Sequence, residues 1–249
     1  MQAARKRTAG DPRAKFQGCS FYLINNTGLC AGTIEKAYSS ASSDDRPLGI
    51  SNHTIRARQM IHHPKEFSDY VIFICSGQAV SSITLPDGRR QILEILLPGD
   101  VVSWTALFEP MSGRLIEAIE DSSYRKLARA EFRELLFKLP DLFEMFVRLC
   151  IHEKTRSDQL VITLGRRNAP QRIARLILDL AERLAERGLM KGETMKFPLR
   201  LRHIGDATGL TPVHTSKVLN QFQRAKIIDL HARALTIADA AELRQIAGP

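Results

Sequence analysis

The stretch that decides the fold is IGDATGLTPVHTSKVLNQF, which runs from Ile204 to Phe222 near the C-terminus. Its apolar residues recur at helical spacing, but a glycine followed by Leu-Thr-Pro interrupts the pattern. Gly209 favours the left-handed conformation that ends a helix, whereas Thr211 and Pro212 are residue types that begin one. The stretch therefore predicts two helices joined by a tight turn, a helix-turn-helix whose second helix ends near Arg224.

In a helix-turn-helix, the N-terminal residues of the second helix enter the major groove of DNA. A lysine there can donate to guanine acceptors, and an apolar side chain can contact a thymine methyl. Hydroxyl and guanidinium groups nearby suit contacts to phosphates. The predicted DNA-binding residues are Thr211, Pro212, Val213, His214, Ser216, Lys217, Arg202 and Arg233. The alternative, a helical hairpin inside a core, leaves this polar face unexplained.

The charge of the 249-residue chain is distributed unevenly. The formal net charge is +9, of which residues 165–249 carry +7 and residues 1–15 carry +4, so the middle is slightly acidic. A basic C-terminal third joined to a slightly acidic middle predicts a nucleic-acid-binding domain attached to a sensing or assembly domain. A generic basic surface is the alternative that total charge alone leaves open.

The middle of the chain has the pattern of an antiparallel β-structure. Between Ile50 and Leu127, short β-rich runs alternate with turn signals, which predicts a barrel or jelly roll. The runs are HTIRARQMI, YVIFIC, AVSSITL, RQILEILL, VVSW, LIEAI and YRKLA. Asp87-Gly88 predicts a hairpin turn because Asp-Gly readily adopts positive φ. Polar residues from Ser39 to Pro47 predict a loop.

Helical spacing follows this region. Leu142, Met145, Phe146 and Leu149 share one face of a predicted helix of about 24 residues, which could be a homodimer seam or could pack only on its own β-domain. Asn168 caps the next helix. Later segments predict further strands: FPLRL over Phe197–Leu201, and the two strands of a wing, KIID and RALTI.

These patterns predict an α+β chain with an N-terminal antiparallel, jelly-roll-like β-roll, a long dimerisation helix and a C-terminal winged helix-turn-helix. The predicted domains are a disordered basic arm over 1–20, a β-roll effector or sensor domain over 21–138, the dimerisation helix over 139–166 and the DNA-binding domain over 167–249. No apolar run is long enough to span a bilayer and no secretory signal is recognisable, so we expect no membrane association and a cytoplasmic protein.

This order of parts resembles the CRP/FNR superfamily of bacterial transcription regulators. The residues that carry the resemblance are LPDGRRQILEILLPGD (Leu85 to Asp100), LGRR (Leu164 to Arg167) and GLTPVHTSKVL (Gly209 to Leu219). The resemblance implies a cyclic-nucleotide-binding-type β-roll, a homodimer on a two-fold-related double-stranded DNA site, and contact with RNA polymerase. Two half-sites about one helical turn apart follow from such a dimer.

The chain departs from better-known members of this superfamily at two places. Val213 stands where they carry a glutamate that reads a G·C pair, so we expect a different half-site. Cyclic-nucleotide binders hold the ribose with a glutamate and the phosphate with an arginine after a PGD-type turn. Here Trp104 occupies the glutamate position and Arg114 lies near the arginine position, which makes them the candidate effector pocket. Leu115 and Ile116 replace the usual small residues, which disfavours a cyclic nucleotide.

The cysteines disfavour an iron–sulfur cluster. Cys19, Cys30, Cys75 and Cys150 are widely spaced, and no CxxC pair occurs. The oxygen-sensing branch of the superfamily binds its cluster through four cysteines, three of them tightly spaced. A haem with Cys75, His62 or His63 as a ligand is also disfavoured, since a structural histidine is the commoner outcome. The effector is therefore left unknown.

Two other classes of protein fit parts of the pattern. A cupin-like metal enzyme could use His62, His63 and Glu66, but adjacent histidines of a strand point to opposite faces and no further histidine follows at a suitable distance. We therefore expect no metal site and no enzyme activity. The second class is a ligand-binding or assembly module that carries the β-roll and does not bind DNA.

Overall fold

The computed structural model describes residues 31–41, 48–64, 69–102, 107–108 and 113–248. The predicted arm over 1–20 lies outside these residues, as do Cys19, Cys30, Glu66 and Trp104. In chain order the elements are α1 (Ala31–Ala41), β1 (Ser51–Ile55), β2 (Met60–His62), β3 (Tyr70–Ser76), β4 (Ala79–Thr84), β5 (Arg90–Leu96), β6 (Val101–Val102), β7 (Leu115–Ala118), β8 (Ser122–Ala128), α2 (Arg129–Lys138), α3 (Pro140–Arg166), α4 (Ala169–Glu186), β9 (Thr194–Lys196), α5 (Leu201–Thr208), α6 (Pro212–Arg224), β10 (Ile228–His231), β11 (Ala234–Ile237) and α7 (Ala240–Ala247).

Two four-stranded antiparallel sheets form the N-terminal part, with strand orders β1-β8-β3-β6 and β2-β7-β4-β5. Alternate residues of β3 serve two cores, because successive side chains of a strand point to opposite faces. Ile72 and Ile74 pack inside the roll, whereas Val71 and Phe73 pack against α2 and α3. The predicted antiparallel β-roll is confirmed.

The turn between β4 and β5 is the predicted Asp-Gly hairpin. Gly88 has a φ of 84°. The Asp87 carboxylate accepts a hydrogen bond from the Arg89 backbone N–H at 3.0 Å, and the Leu85 N–H donates to the Arg89 carbonyl at 2.8 Å. Positive φ at the glycine lets the chain reverse within a few residues, so that β5 pairs with β4.

The long helix α3 has 27 residues and two apolar faces. Leu142 and Phe146 are buried within the protomer, and Phe146 meets Phe132 of α2 edge-on with ring centroids 6.2 Å apart. The second face is exposed and consists of Phe143, Val147, Ile151, Val161 and Ile162. At about 100° per residue, these five side chains lie within a sector of about 100°. We call them the exposed α3 stripe.

The helix α4 begins at its predicted cap. The Asn168 side chain accepts a hydrogen bond from the Gln171 N–H at 3.1 Å, and the Gln171 side chain accepts one from the Asn168 N–H at 2.9 Å. This reciprocal pair satisfies backbone donors that have no partner inside the helix. The buried stripe of α4 includes Ile173, Ile177, Leu180 and Leu184.

Three predictions about local structure are wrong. HTIRARQMI forms two strands, β1 and β2, separated by a turn in which Arg58 has a φ of 71°. The strand predicted over Phe197–Leu201 is absent, since β9 ends at Lys196, residues 197–200 form a linker and Leu201 begins α5. The loop predicted from Ser39 starts too early, because α1 continues to Ala41.

The β-roll and the C-terminal helices share one hydrophobic cluster. Val80, Ile92 and Ile95 of the β4–β5 hairpin belong to the same buried cluster as Ile177 of α4 and Ile204 of α5. The shared cluster places the C-terminal domain against the sheet that contains β5, while α2 contacts β3 and β8 of the other sheet.

An ion-pair cluster centred on a buried carboxylate lies at the same junction. Asp100, which follows β5, accepts hydrogen bonds from Arg183 at 2.7 Å and from Arg187 at 2.6 Å. Burial alone would raise the pKa of Asp100, but the two guanidinium groups outweigh it and hold this pKa well below its ordinary value. We call these three residues the Asp100 clamp.

Candidate nucleic-acid interface

The helices α5 and α6 form the predicted helix-turn-helix. Gly209 ends α5 with a φ of 67°, and the Leu210 N–H donates to the Gly205 carbonyl at 3.0 Å. Thr211 caps α6, since its hydroxyl accepts a hydrogen bond from the His214 N–H at 3.2 Å. Pro212 is the first residue of α6, where its missing N–H costs nothing.

The two faces of α6 differ in polarity. Thr215, Val218, Leu219 and Phe222 are buried against the rest of the domain. The opposite face exposes Val213, His214 and Lys217, with Val213 81% exposed, and Ser216 is half-buried beside them. This face therefore presents an apolar side chain and a cation side by side, which suits contact with base edges.

Gly205 and Arg172 hold the helix-turn-helix in place at two points. A Cβ added to Gly205 would lie 2.5 Å from the Leu210 carbonyl oxygen, so only glycine permits this approach of the turn. Arg172 of α4 donates hydrogen bonds to the carbonyls of Leu164, Arg167 and Thr208 at 2.8 to 3.0 Å. The same guanidinium therefore joins the end of α3 to the end of α5.

The start of α5 carries a neutral histidine among arginines. His203 Nδ1 accepts a hydrogen bond from the Arg200 backbone N–H at 3.2 Å. Burial, and then the charges of Arg202 and Arg90, lower the pKa of His203 to about 4. A neutral imidazole can accept this hydrogen bond, which an imidazolium cannot, so the lowered pKa preserves the cap of α5 at mildly acidic pH.

Arg202, a predicted phosphate contact, lies at the junction with the β-roll. It is exposed, and its guanidinium is 3.5 Å from Glu117 of β7. Glu117 also binds Arg90 at 2.7 Å, and Arg90 in turn binds Asp206 of α5 at 2.8 Å. The network ties α5 to the β-roll and leaves part of the Arg202 side chain open to solvent.

The predicted wing is the hairpin of β10 and β11. Arg233 lies in its turn with a φ of 64° and is exposed, and its carbonyl accepts a hydrogen bond from the Phe197 N–H at 2.7 Å. The charges of Arg58, Arg202 and Arg233 lower the pKa of Arg200, with Arg58 the largest cause. Arginine remains protonated at physiological pH, so positive charges from the β-roll, α5 and the wing all act on Arg200.

Sequence reasoning missed Arg200 and Arg58 as members of this basic cluster. The alternation of arginine in LRLR was a usable signal for Arg200. Nothing in the sequence indicates the turn that contains Arg58, because this turn has neither glycine nor proline and lies within HTIRARQMI, which has the composition of a strand.

A cavity of about 300 Å³ lies where β5, α3, α4 and the end of α5 meet. Arg114 lines it, together with the partly buried Glu94, which pairs with Arg156 of α3 at 2.6 Å. Burial raises the pKa of Glu94 more than the nearby arginines lower it. Of the two predicted effector residues, only Arg114 is described, and it borders this cavity.

Neither a metal cluster nor a membrane span is found in the described part of the chain. No three His, Cys, Asp or Glu side chains converge there as metal ligands. His62, the last residue of β2, is buried, and His63, which follows the strand, is exposed. Cys75 is buried, and burial raises the pKa of the half-buried Cys150 thiol. No helix of this part is both long and apolar enough to cross a bilayer.

Two family models match the chain in the same order as these domains. A cyclic nucleotide-binding domain matches residues 52–138, and a Crp-like helix-turn-helix domain matches residues 171–246. The second match contains the whole of α5 and α6 and the wing. The first contains all eight strands of the β-roll except the first residue of β1.

Similar proteins of known role are transcription regulators rather than enzymes. The transcriptional regulatory protein Btr of Bordetella pertussis is 30% identical over 182 residues, 72% of this chain and 74% of that protein. The fumarate and nitrate reduction regulatory protein of Vibrio cholerae is 28% identical over 175 residues, 70% of each chain. The structure of FixK2 from Bradyrhizobium japonicum superposes with a TM-score of 0.74 at 27% identity, over 81% of this chain and 99% of that one. The chain has a β-roll followed by a helix-turn-helix, both family models match it in that order, and regulators of this kind match it over most of its length. It therefore belongs to the CRP/FNR family of DNA-binding transcription regulators.

Proposed function

We propose that this regulator acts as a homodimer that inserts the N-terminal end of each α6 into the major groove of a palindromic promoter site. The exposed Val213, His214 and Lys217 on an otherwise well-packed helix carry this proposal. Thr211, Pro212 and Ser216 flank them, and Arg202 and Arg233 suit the phosphates on either side. Within this proposal, Val213 offers a thymine methyl contact and Lys217 a donor to guanine.

The exposed α3 stripe is the surface that we propose for dimerisation. Its five apolar side chains face away from the protomer's own core, and a second α3 packed antiparallel or parallel to it would cover them. Lys154 and Asp158 lie in the same sector and pair with each other, so they add no net charge to the exposed α3 stripe. A two-fold axis through α3 then generates two half-sites about one helical turn apart.

The proposed domain organisation follows from these roles. A β-roll sensor over 21–138 is followed by a dimerisation helix over 139–166. This helix positions the DNA-binding domain over 167–249. A signal that changes the packing of α3 would shift the population of dimers with correctly spaced recognition helices. RNA polymerase is the partner that a bound dimer would contact, in the cytoplasm.

The first experiment is selection from random duplex DNA with the purified protein, with and without a small-molecule extract of cells. We expect enrichment of a palindrome whose half-sites are about 10 base pairs apart. Affinity for the enriched site should fall steeply as salt rises, since several phosphates are neutralised. A flat dependence on salt, or no enrichment with and without the extract, would favour an assembly module that does not bind DNA.

The recognition residue is tested with Lys217→Ala. This variant should lose about 1–3 kcal/mol of discrimination at one base pair of each half-site, because a direct donor to a base edge is removed. Lys191→Ala removes another exposed lysine, in the loop between α4 and β9, and should leave the site preference unchanged. The readout is the selected sequence profile of each variant. An unaltered profile for Lys217→Ala would refute the assignment of α6 as the reading helix.

The cavity beside Arg114 is the place that we propose for an effector. It borders the β-roll, α3, α4 and the end of α5, so a ligand there would contact the elements that connect the β-roll to the reading helix. Trp104, the other residue of the predicted pocket, lies outside the described residues and stays a prediction. A change in the enriched site or its yield on addition of the extract supports an effector, and an Arg114→Ala variant should abolish that change.

A further inference from the structure

Four charged side chains form a network between α5 and the β-roll. Arg202 and Asp206 are four residues apart on α5, so they lie on the same face of that helix. Arg90 of β5 binds Asp206 at 2.8 Å and Glu117 of β7 at 2.7 Å. Glu117 in turn lies 3.5 Å from Arg202. Positive and negative groups therefore alternate along the network, and its two cations balance its two anions.

Arg202 is the member of this network whose partner is most easily exchanged. Its side chain is 51% exposed, whereas those of Arg90 and Glu117 are 16% and 6% exposed. Its contact with Glu117 is also longer than either contact of Arg90. Water and salt screen an ion pair at the exposed end of a network, so the Arg202–Glu117 contact can be broken at little cost.

Glu117 can lose Arg202 and still remain paired. A buried carboxylate without a partner would be costly, and Glu117 is buried. Arg90 binds its Oε2 atom, however, whereas Arg202 approaches its Oε1 atom. Departure of Arg202 therefore leaves the ion pair at Oε2 intact, and the Arg90–Asp206 pair still joins the β-roll to α5.

We propose that Glu117 competes with a DNA phosphate for Arg202, so that the β-roll sets how readily α5 binds the DNA backbone. This inference rests on the proposed role of Arg202 as a phosphate contact. In the free protein Glu117 neutralises part of the Arg202 charge, and in the complex a phosphate takes its place. A movement of β7 away from α5 would thus release Arg202 and raise the affinity for DNA without any change in α6.

The principal test is Glu117→Gln, which removes the competing charge and keeps the shape of the side chain. Affinity for a duplex that carries the selected palindrome should rise by about two- to fivefold per protomer, the size expected for a weak surface ion pair. The gain should shrink as the salt concentration rises, because salt screens the competition. Fluorescence anisotropy titrations at several salt concentrations measure both effects.

A double-mutant cycle with Arg202→Gln separates competition from a general effect of charge. In the Arg202→Gln background, Glu117→Gln should leave the affinity unchanged, because no cation remains to be released. Asp206→Asn is the matched control. It neutralises the other carboxylate of the network, which binds Arg90 rather than Arg202, and should leave the affinity close to that of the wild type.

Arg90→Gln gives a test of opposite sign. Without Arg90, Glu117 keeps Arg202 as its partner in the network and should hold it more tightly, so the affinity for DNA should fall. The same substitution should have no further effect in the Arg202→Gln background. Melting temperatures of all variants show which of them are folded at the temperature of the titrations. If Glu117→Gln is not, Arg90→Gln decides, and an affinity at or above that of the wild type overturns the competition.

Failure of this inference and failure of the proposed phosphate contact look different. The competition alone fails when Arg202→Gln weakens binding but Glu117→Gln does not strengthen it. It also fails when Glu117→Gln gives the same gain without Arg202, or when Asp206→Asn gives an equal gain. If Arg202→Gln changes neither the affinity nor its salt dependence, Arg202 does not bind a phosphate, and the competition fails with that contact.

Discussion

Single residues determine how closely the two helices of the reading motif approach. At Gly205, the missing side chain leaves room for the Leu210 carbonyl oxygen, which an added Cβ would meet at 2.5 Å. At Gly209, positive φ turns the chain between the helices. The sequence reveals the role of Gly209, because a glycine at a helix end has a known conformational meaning. It does not reveal the role of Gly205, whose close contact exists only in the folded domain.

Gly205→Ala is expected to destabilise the protein by about 1–3 kcal/mol, because the new Cβ meets a backbone atom that cannot move without disturbing the turn. Higher helix propensity of alanine offsets only part of this cost. Chemical denaturation measures the change. Gly113→Ala is the matched control, since a Cβ there meets nothing within 4 Å, and should change stability by less than about 0.5 kcal/mol. Equal stability of the two variants would show that the turn can shift to accommodate the added Cβ at Gly205.

Among the elements, α3 shows what a periodic pattern can and cannot predict. Its existence, its position and its apolar residues were predictable from helical spacing. The division of those residues between two surfaces was not, because it depends on how α2 folds against α3: Leu142 is buried in the protomer, whereas Val147 is exposed. The apolar face that the spacing singled out is largely used inside the protomer, and the exposed α3 stripe lies next to it.

Ile151→Glu is expected to break the proposed dimer. A charge on each of two facing helices would have to be desolvated without a partner, which costs far more than the apolar contact that it replaces. Sedimentation should then give the chain mass of 28.0 kDa for the variant and twice that mass for the wild type. Leu85→Glu, which alters an exposed apolar residue of the β4–β5 turn, serves as the control and should remain dimeric. A dimeric Ile151→Glu variant would place the seam elsewhere.

For the whole molecule, the arrangement of the two domains depends on contacts between distant parts of the sequence. The order of the β-roll, long helix and helix-turn-helix was predictable from local patterns. The Asp100 clamp was not, because Asp100 and its arginines are more than 80 residues apart and nothing in either segment marks the other as a partner. The same is true of Arg58 and Arg200.

Asp100→Asn is expected to destabilise the chain by about 3–5 kcal/mol, since the largely buried Arg183 and Arg187 would lose the carboxylate that both of them bind, and Asp179, 3.5 Å from Arg183, offsets only part of that loss. The depressed pKa of Asp100 gives the sign of the pH dependence. The stabilisation is complete above the ordinary value of 3.8 and is lost as pH falls from there towards the lowered value. Denaturation curves at several pH values measure both effects. Glu134→Gln, in an exposed pair with Lys138, should cost less than about 1 kcal/mol.

The hydrophobic cluster common to the β4–β5 hairpin and the C-terminal helices has a consequence for how such regulators can be recombined. A chimaera that joined this DNA-binding domain to a foreign β-roll at the end of α3 would leave Val80, Ile92 and Ile95 without their partners, and the foreign hairpin would face Ile177 and Ile204 with the wrong shape. A working exchange has to transfer the β4–β5 hairpin together with the reading helices. The portable unit of this protein is therefore discontinuous in sequence, and its boundary does not coincide with the linker between α3 and α4.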